Sequence, residues 1–290
     1  MIKALFFDID GTLVSFRTHR VPQSTIDAIH AARQQGIKVF IATGRPRPFI
    51  NNLGTLEYDG VMSVNGASII LNDGTVICNK FIPHKDVEQM VDYVSTHPLS
   101  VVFAGSSEAF AVNLNEPFRE VFKLLDLERP VIRPAEYALQ MDVQQIIAFF
   151  TLAEEADIMD TVLTHCDANR WHPAFADCTV RGTNKATGLD DVCHYYGWDI
   201  TEVMAFGDGG NDMDMLRHAG IGVAMGNARP EVQACADYVT APVDEDGVAK
   251  ALRGDIALPL YRCISLSTTS PPRILKELSF GSPSRSERMA

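Results

Sequence analysis

The chain is punctuated by short apolar runs that each stop on a cluster of polar residues: "IKALFFDIDGT", "IKVFIATGR" and "EVMAFGDGGNDMD". A brief run with little polar alternation reads as a strand buried on both faces, the signature of a parallel sheet. Helical spacing fills the gaps. "STIDAIHAARQQG" follows the first run, with Gly36 placed to end the helix, and "DGVMSV" supplies a third strand. This alternation predicts an α/β fold, a doubly wound parallel sheet with helices on both faces.

Two segments depart from that rhythm. "NGASIILNDGTVICNKFI" holds two β-rich runs around Asn72-Asp73-Gly74, a hairpin signal. From 84 to 180 the pattern is α+β. A helix ("KDVEQMVDYVSTH") precedes short strands ("LSVVFAG", "EAFAVNL"), a helix ("EPFREVFKLLD") and a strand ("VQQIIAFF"). Another helix ("EEADIMDTVLTHC") and two strands ("NRWHPA", "ADCTVR") complete it. This reads as a unit inserted into a discontinuous core of residues 1–83 and 181–254. "KATGLDDVCHYYG", "EVMAFGD", "NDMDMLRHAG" and "IGVAM" then resume the first rhythm. Residues 255–290, rich in Ser, Pro and Arg, read as a disordered tail.

Composition narrows the function classes. A net charge of −12 argues against non-specific nucleic-acid binding, which needs a basic face. The first apolar stretch is cut by Asp8, so it neither spans a membrane nor carries a cleavable signal pattern. The six cysteines (Cys78, Cys166, Cys178, Cys193, Cys235, Cys263) are scattered without a CxxC pair, as expected of idle thiols in a reducing cytoplasm. The expected state is a cytoplasmic monomer or small homo-oligomer.

Asp8 and Asp10 pose an electrostatic problem. Two carboxylates about 4 Å apart repel by roughly 4 kcal/mol at an effective dielectric of 20. In open parallel sheets, sites form beyond the carboxyl ends of the strands. There Asp8 and Asp10 should meet Thr43, Gly44 and Arg45 from the second run, and Asp208, Asn211 and Asp212 from the last. Asp8, Asp208 and Asp212 would form a carboxylate nest that suits Mg²⁺, and the ion would offset the repulsion. A carboxylate held beside a second acid suits phosphoryl transfer, with Asp8 as nucleophile and Asp10 moving the proton. Thr43 and Lys185 are placed to hold phosphoryl oxygens.

Together, "DIDGT", "TGR", a lysine opening the helix after an insert, and "GDGGND" resemble the four motifs of the haloacid dehalogenase superfamily. The insert resembles the C2-type cap of its Cof-like phosphatases. The resemblance covers residues 1 to 254. It implies that Asp8 becomes an aspartyl-phosphate and that Asp10 is the acid/base, its backbone carbonyl also ligating Mg²⁺. Asp208 would be a direct metal ligand and Asp212 would orient water on the ion. Thr43 and Lys185 would bind the phosphoryl group, with Asn211 in support. Ala186 departs from the glycine that often follows the motif lysine. The implied substrate is a small phosphorylated metabolite, a sugar phosphate first. A phosphomutase or phosphotransferase using the same intermediate, and a non-catalytic sensor of a phosphorylated metabolite, are the alternatives.

Some residues carry plainer readings. Arg45 and Arg47 read either as phosphate contacts or, the favoured reading, as part of a solvated face. Asn65-Gly66 reads as a turn near the site. Trp171, His172 and Phe175 read either as pocket lining or as small-domain core.

Overall fold

A computed structural model describes residues 1–254, apart from the side chain of Trp171. The segment 255–290, read above as a tail, lies outside the described residues. The chain begins with β1 (Ala4–Phe7), α1 (Gln23–Gln34), β2 (Lys38–Ala42) and β3 (Gly60–Ser63). The hairpin β4 (Ser68–Leu71) and β5 (Val76–Asn79) follows. The insert comprises α2 (His84–Thr96), β6 (Val101–Ala104), β7 (Ala109–Val112), α3 (Glu116–Leu124) and β8 (Val131–Ile132). It continues through β9 (Gln145–Ala148), α4 (Leu152–Thr161), β10 (Cys166–His172) and β11 (Phe175–Val180). The chain then returns with α5 (Lys185–Tyr196), β12 (Val203–Gly207), α6 (Met213–His218) and β13 (Ile221–Ala224). Last come α7 (Pro230–Gln233), β14 (Tyr238–Val239) and α8 (Gly247–Arg253).

The core sheet runs β14-β13-β12-β1-β2-β3-β4-β5. Its first six strands are parallel, and β4 and β5 are added antiparallel at one edge. Every residue of β1 is buried, as the unbroken apolar run requires, because successive side chains serve two different layers. Leu5 and Phe7 pack with Ile29 of α1 and Leu252 of α8. Ala4 and Phe6 pack with Leu189 of α5 and Met215 of α6. Strand order reverses at β1, where the chain goes to β2 on one side and returns to β12 on the other. The crevice between those carboxyl ends is where such sheets place a site.

The inserted sheet runs β10-β11-β9-β6-β7-β8 and is antiparallel except for β7 with β8. One face, with Phe103 and Ile146, is covered by α2 and α4 through Met90 and Ile158. The other, with Val102, Ile147 and Phe149, packs on α3 through Phe118, Val121 and Phe122, with Phe49 of the core at its edge. This second face looks toward the core.

The short elements β8, β14 and α7 fall where the sequence shows no steady periodicity. "NDMDMLRHAG", read as one helix, begins as a 3-10 turn over Gly210–Asp212 before α6. No helix among the described residues is long and apolar enough to cross a membrane.

Candidate active site

Asp8 follows β1, and its backbone N–H still donates to Phe206 of β12 (3.0 Å). The chain then turns at once. Leu13 and Val14 N–H both donate to Ile9 carbonyl (3.0 and 2.7 Å). Gly11 adopts φ +84°, and a Cβ there would lie 2.2 Å from Asp208 Oδ2. Only glycine admits both the left-handed backbone and the approach of the Asp208 carboxylate.

Lys185 enters from the first position of α5. Asn184 caps that helix, accepting from Thr187 N–H (2.9 Å) while Thr187 Oγ1 accepts from Asn184 N–H (3.2 Å). The cap aims a fully buried ammonium inward, where it donates to Asp8 Oδ1 and Asp212 Oδ1, both at 2.6 Å. Burial alone would lower the lysine's pKa, but the Asp212 and Asp8 carboxylates outweigh it and hold the pKa raised. Asp212 Oδ2 accepts from the N–H groups of Asp208 (2.9 Å) and Gly209 (2.8 Å). Asp212 thus ties the loop after β12 to Lys185 with both oxygens.

Asp208 is held from two further directions. Thr12 Oγ1 donates to Oδ1 (2.9 Å) and Asn227 Nδ2 donates to Oδ2 (3.1 Å). Asn227 also donates to Gly11 carbonyl (2.9 Å) and accepts from Val243 N–H (2.9 Å). Neither Thr12 nor Asn227 was singled out in the sequence. Asn227 does follow the carboxyl end of β13, so the strand-end rule that found the other clusters reaches it.

Asp10 turns away from this cluster. Arg45 grips it with two bonds, Nε to Oδ2 (2.7 Å) and a terminal nitrogen to Oδ1 (2.6 Å), while its other terminal nitrogen donates to Phe49 carbonyl (2.9 Å). The solvated face expected for Arg45 is therefore corrected: it is 6% exposed, whereas Arg47 is exposed. The repulsion between the opening acids is met by two buried cations, Lys185 on Asp8 and Arg45 on Asp10. Bidentate pairing suits the planar guanidinium.

A carboxylate cluster nevertheless remains. Asp8, Asp208 and Asp212 each offer an oxygen within 4.8 Å of the others. Burial, opposed by Lys185 and reinforced by Asp212 and Asp10, pushes Asp8 up to about 7. Burial and the charges of Asp8 and Asp212 hold Asp208 well above its ordinary value. Crowded, desolvated carboxylates of this kind suit a divalent cation, which reverses both effects.

Thr43 is buried after β2, its Oγ1 accepting from Arg45 N–H (3.1 Å). Gly44 carbonyl accepts from Gln145 Nε2 of the inserted sheet (3.0 Å). Asn211 Nδ2 donates to Asn65 Oδ1 (3.0 Å), and Asn65 is held at φ 51° beside the site. Asp8, Asp10, Thr43, Gly44, Asp208 and Asn211 all border one cavity of about 230 Å³ between the two sheets. Lys185 and Asp212 lie behind its floor. Phe175 borders the cavity; His172 stacks on Phe175 with ring centres 5.9 Å apart. The side chain of Trp171 lies outside the described residues.

The chain is similar to known proteins. The sequence profile of the haloacid dehalogenase-like hydrolase family matches residues 5–252. YkrA of Bacillus subtilis, which carries the name of a phosphatase, is 32% identical over 256 residues, covering 87% of this chain and 96% of its own. YitU of the same organism, a 5-amino-6-(5-phospho-D-ribitylamino)uracil phosphatase, is 30% identical over 85% of this chain and 94% of its own. Among solved structures, the subclass IIB sugar phosphatase BT4131 superposes with a TM-score of 0.81 at 43% identity, over 87% of this chain and 98% of its own. The fold, the acidic cluster and these likenesses agree, and the chain belongs to the haloacid dehalogenase-like hydrolases, among their phosphatases.

Proposed function

We infer that this phosphatase hydrolyses small phosphate monoesters, phosphorylated sugars among them, through an aspartyl-phosphate on Asp8. The observation that carries the reading is the pairing of Asp8 and Asp10 on one cavity, each held by its own buried cation. Support for sugars comes from the sugar phosphatase BT4131.

An oxygen of Asp8 attacks phosphorus while the bond to the ester oxygen breaks, and Asp10 delivers a proton to the departing alkoxide. Water then attacks the same phosphorus, the Asp8–phosphorus linkage opens, and Asp10 takes the proton back. Lys185 fixes Asp8 and offsets its charge. Thr43 and Asn211 face the phosphoryl oxygens. Mg²⁺ is the cation that fits the donor set; Asp8 and Asp208 would hold it with the Asp10 carbonyl, and Asp212 would orient its water. Bound there, it would neutralise charge on the carboxylates and the phosphate. The inserted sheet closes over the substrate and limits water in the cavity.

The test separates the two acids. Asp10→Asn should release a burst of nitrophenolate from p-nitrophenyl phosphate near one per enzyme, because that leaving group needs no proton. A slow steady state should follow, and acid-quenched protein should carry a phosphoryl group on Asp8. Asp8→Asn should show no burst and a turnover at least about 10⁴-fold down, the scale seen when a nucleophile is removed. Equal loss on sugar and aryl esters in Asp10→Asn, with no phosphoenzyme, would sink the mechanism. Isomerised sugar phosphate in place of free phosphate would favour a mutase.

A further inference from the structure

We propose that the inserted sheet selects esters whose alcohol presents an apolar ring, in preference to a fully hydroxylated one; this rests on the phosphatase reading above and narrows it. The cavity is polar below and apolar above. Its ceiling comes from Val121, Phe122 and Leu125 at α3, Ile147 and Phe149 at β9, and Phe175 at β11. Among the described residues of the inserted sheet that border the cavity, Asp177 is the one polar side chain.

The origin of this ceiling is architectural. Among the described residues α3 is the one helix packed on the sheet face toward the core, and part of that apolar layer borders the cavity over the catalytic floor. The aromatic rings there are already arranged. Phe118 stacks on Phe122 with centroids 4.2 Å apart, and Phe149 lies 5.3 Å from Phe175. Phe49, on the core side, meets Phe122 edge-on at 5.7 Å and 86°. Rings fixed in these geometries accept a further ring edge-on or offset. The cavity, of about 230 Å³, has room for a phosphoryl group and one ring.

A hexose offers several hydroxyls to this ceiling, and one carboxylate cannot pair with all of them. Apolar pockets discriminate against an added hydroxyl by up to about 10²-fold. Ring stacking and apolar burial act in the opposite direction for an aryl alcohol.

Benzyl phosphate and glucose 6-phosphate test this, since both are esters of primary alcohols and the chemistry at phosphorus is alike. With the full chain and Mg²⁺, kcat/KM for benzyl phosphate should exceed that for glucose 6-phosphate by about 10-fold or more, chiefly through KM. Leu127 sits half-buried at the cavity edge, packed against the apolar layer of α3 and the sheet. Leu127→Gln should lower the ratio of kcat/KM for benzyl phosphate to that for glucose 6-phosphate several-fold, and an unchanged ratio would remove this apolar edge from the selection. Equal or better turnover of glucose 6-phosphate by the unmodified protein overturns the apolar selection and leaves the phosphatase reading standing. No turnover of either ester or of p-nitrophenyl phosphate overturns both.

Discussion

On the core side of the cavity each acid is met by groups from distant parts of the chain. Asp8 meets Lys185, Asp10 meets Arg45, and Asp208 meets Thr12 and Asn227. On the other side the wall is packed Phe, Leu, Ile and Val, tied to the core loop by Gln145 on Gly44. The difference teaches where each surface tolerates change. Directional bonds between buried charges require fixed distances, and losing one partner exposes the full desolvation cost of the other. Apolar packing has no such direction, and volume-conserving exchanges cost little. The floor can therefore keep one chemistry while the ceiling is altered.

The largest effect that would break this contrast lies at Lys185. Lys185→Met leaves Asp8 and Asp212 buried against one another. It should destabilise the fold by about 3–5 kcal/mol, the scale for breaking a buried ion pair, and abolish turnover. Melting followed by circular dichroism should drop by about 10 °C for a chain of this size. A fall of under about 2 °C would mean that the floor is not held by its charges.

A smaller effect is expected at Asn227, which touches Asp208 but is not a ligand candidate. Asn227→Ala should raise the Mg²⁺ concentration for half-maximal activity about 10–100-fold, as loss of a ligand's supporting partner does. Turnover at saturating Mg²⁺ should stay nearer the unmodified value. A Mg²⁺ titration of initial rates reads this directly. An unchanged midpoint would remove Asn227 from the support of the metal site.

The smallest effect is expected where the two surfaces touch. Gln145→Ala removes one neutral hydrogen bond, worth about 1 kcal/mol, and with it a buried carbonyl oxygen that has no partner. Melting should shift by less than about 4 °C, and kcat/KM on p-nitrophenyl phosphate by less than about five-fold. A large loss of activity would show that this contact locks the inserted sheet in its working position.

Much of this was legible in the residues alone. Short apolar runs broken by polar clusters read as strands covered on both faces, and in an open parallel sheet their carboxyl ends meet. Asp8, Asp10, Thr43, Asp208 and Asn211 therefore converge because of the sheet's topology, and each announces itself by ending a run. The hairpin at Asn72-Asp73-Gly74 was equally local, since those residues specify a tight turn wherever it packs. Tertiary structure decided which cation each acid receives. An arginine after β2 looks the same in sequence whether it faces water or a carboxylate, and Arg45 became the partner of Asp10 only because β1 and β2 lie side by side. Thr12 and Asn227 do lie just past the ends of apolar runs, but an uncharged residue there does not show that it will hold a carboxylate, and both meet Asp208 only in the folded chain. The apolar ceiling was hidden for the same reason. Phe122, Phe149 and Phe175 have the spacing of ordinary core residues, and whether a buried ring faces another ring or a cavity depends on what the opposite layer leaves uncovered.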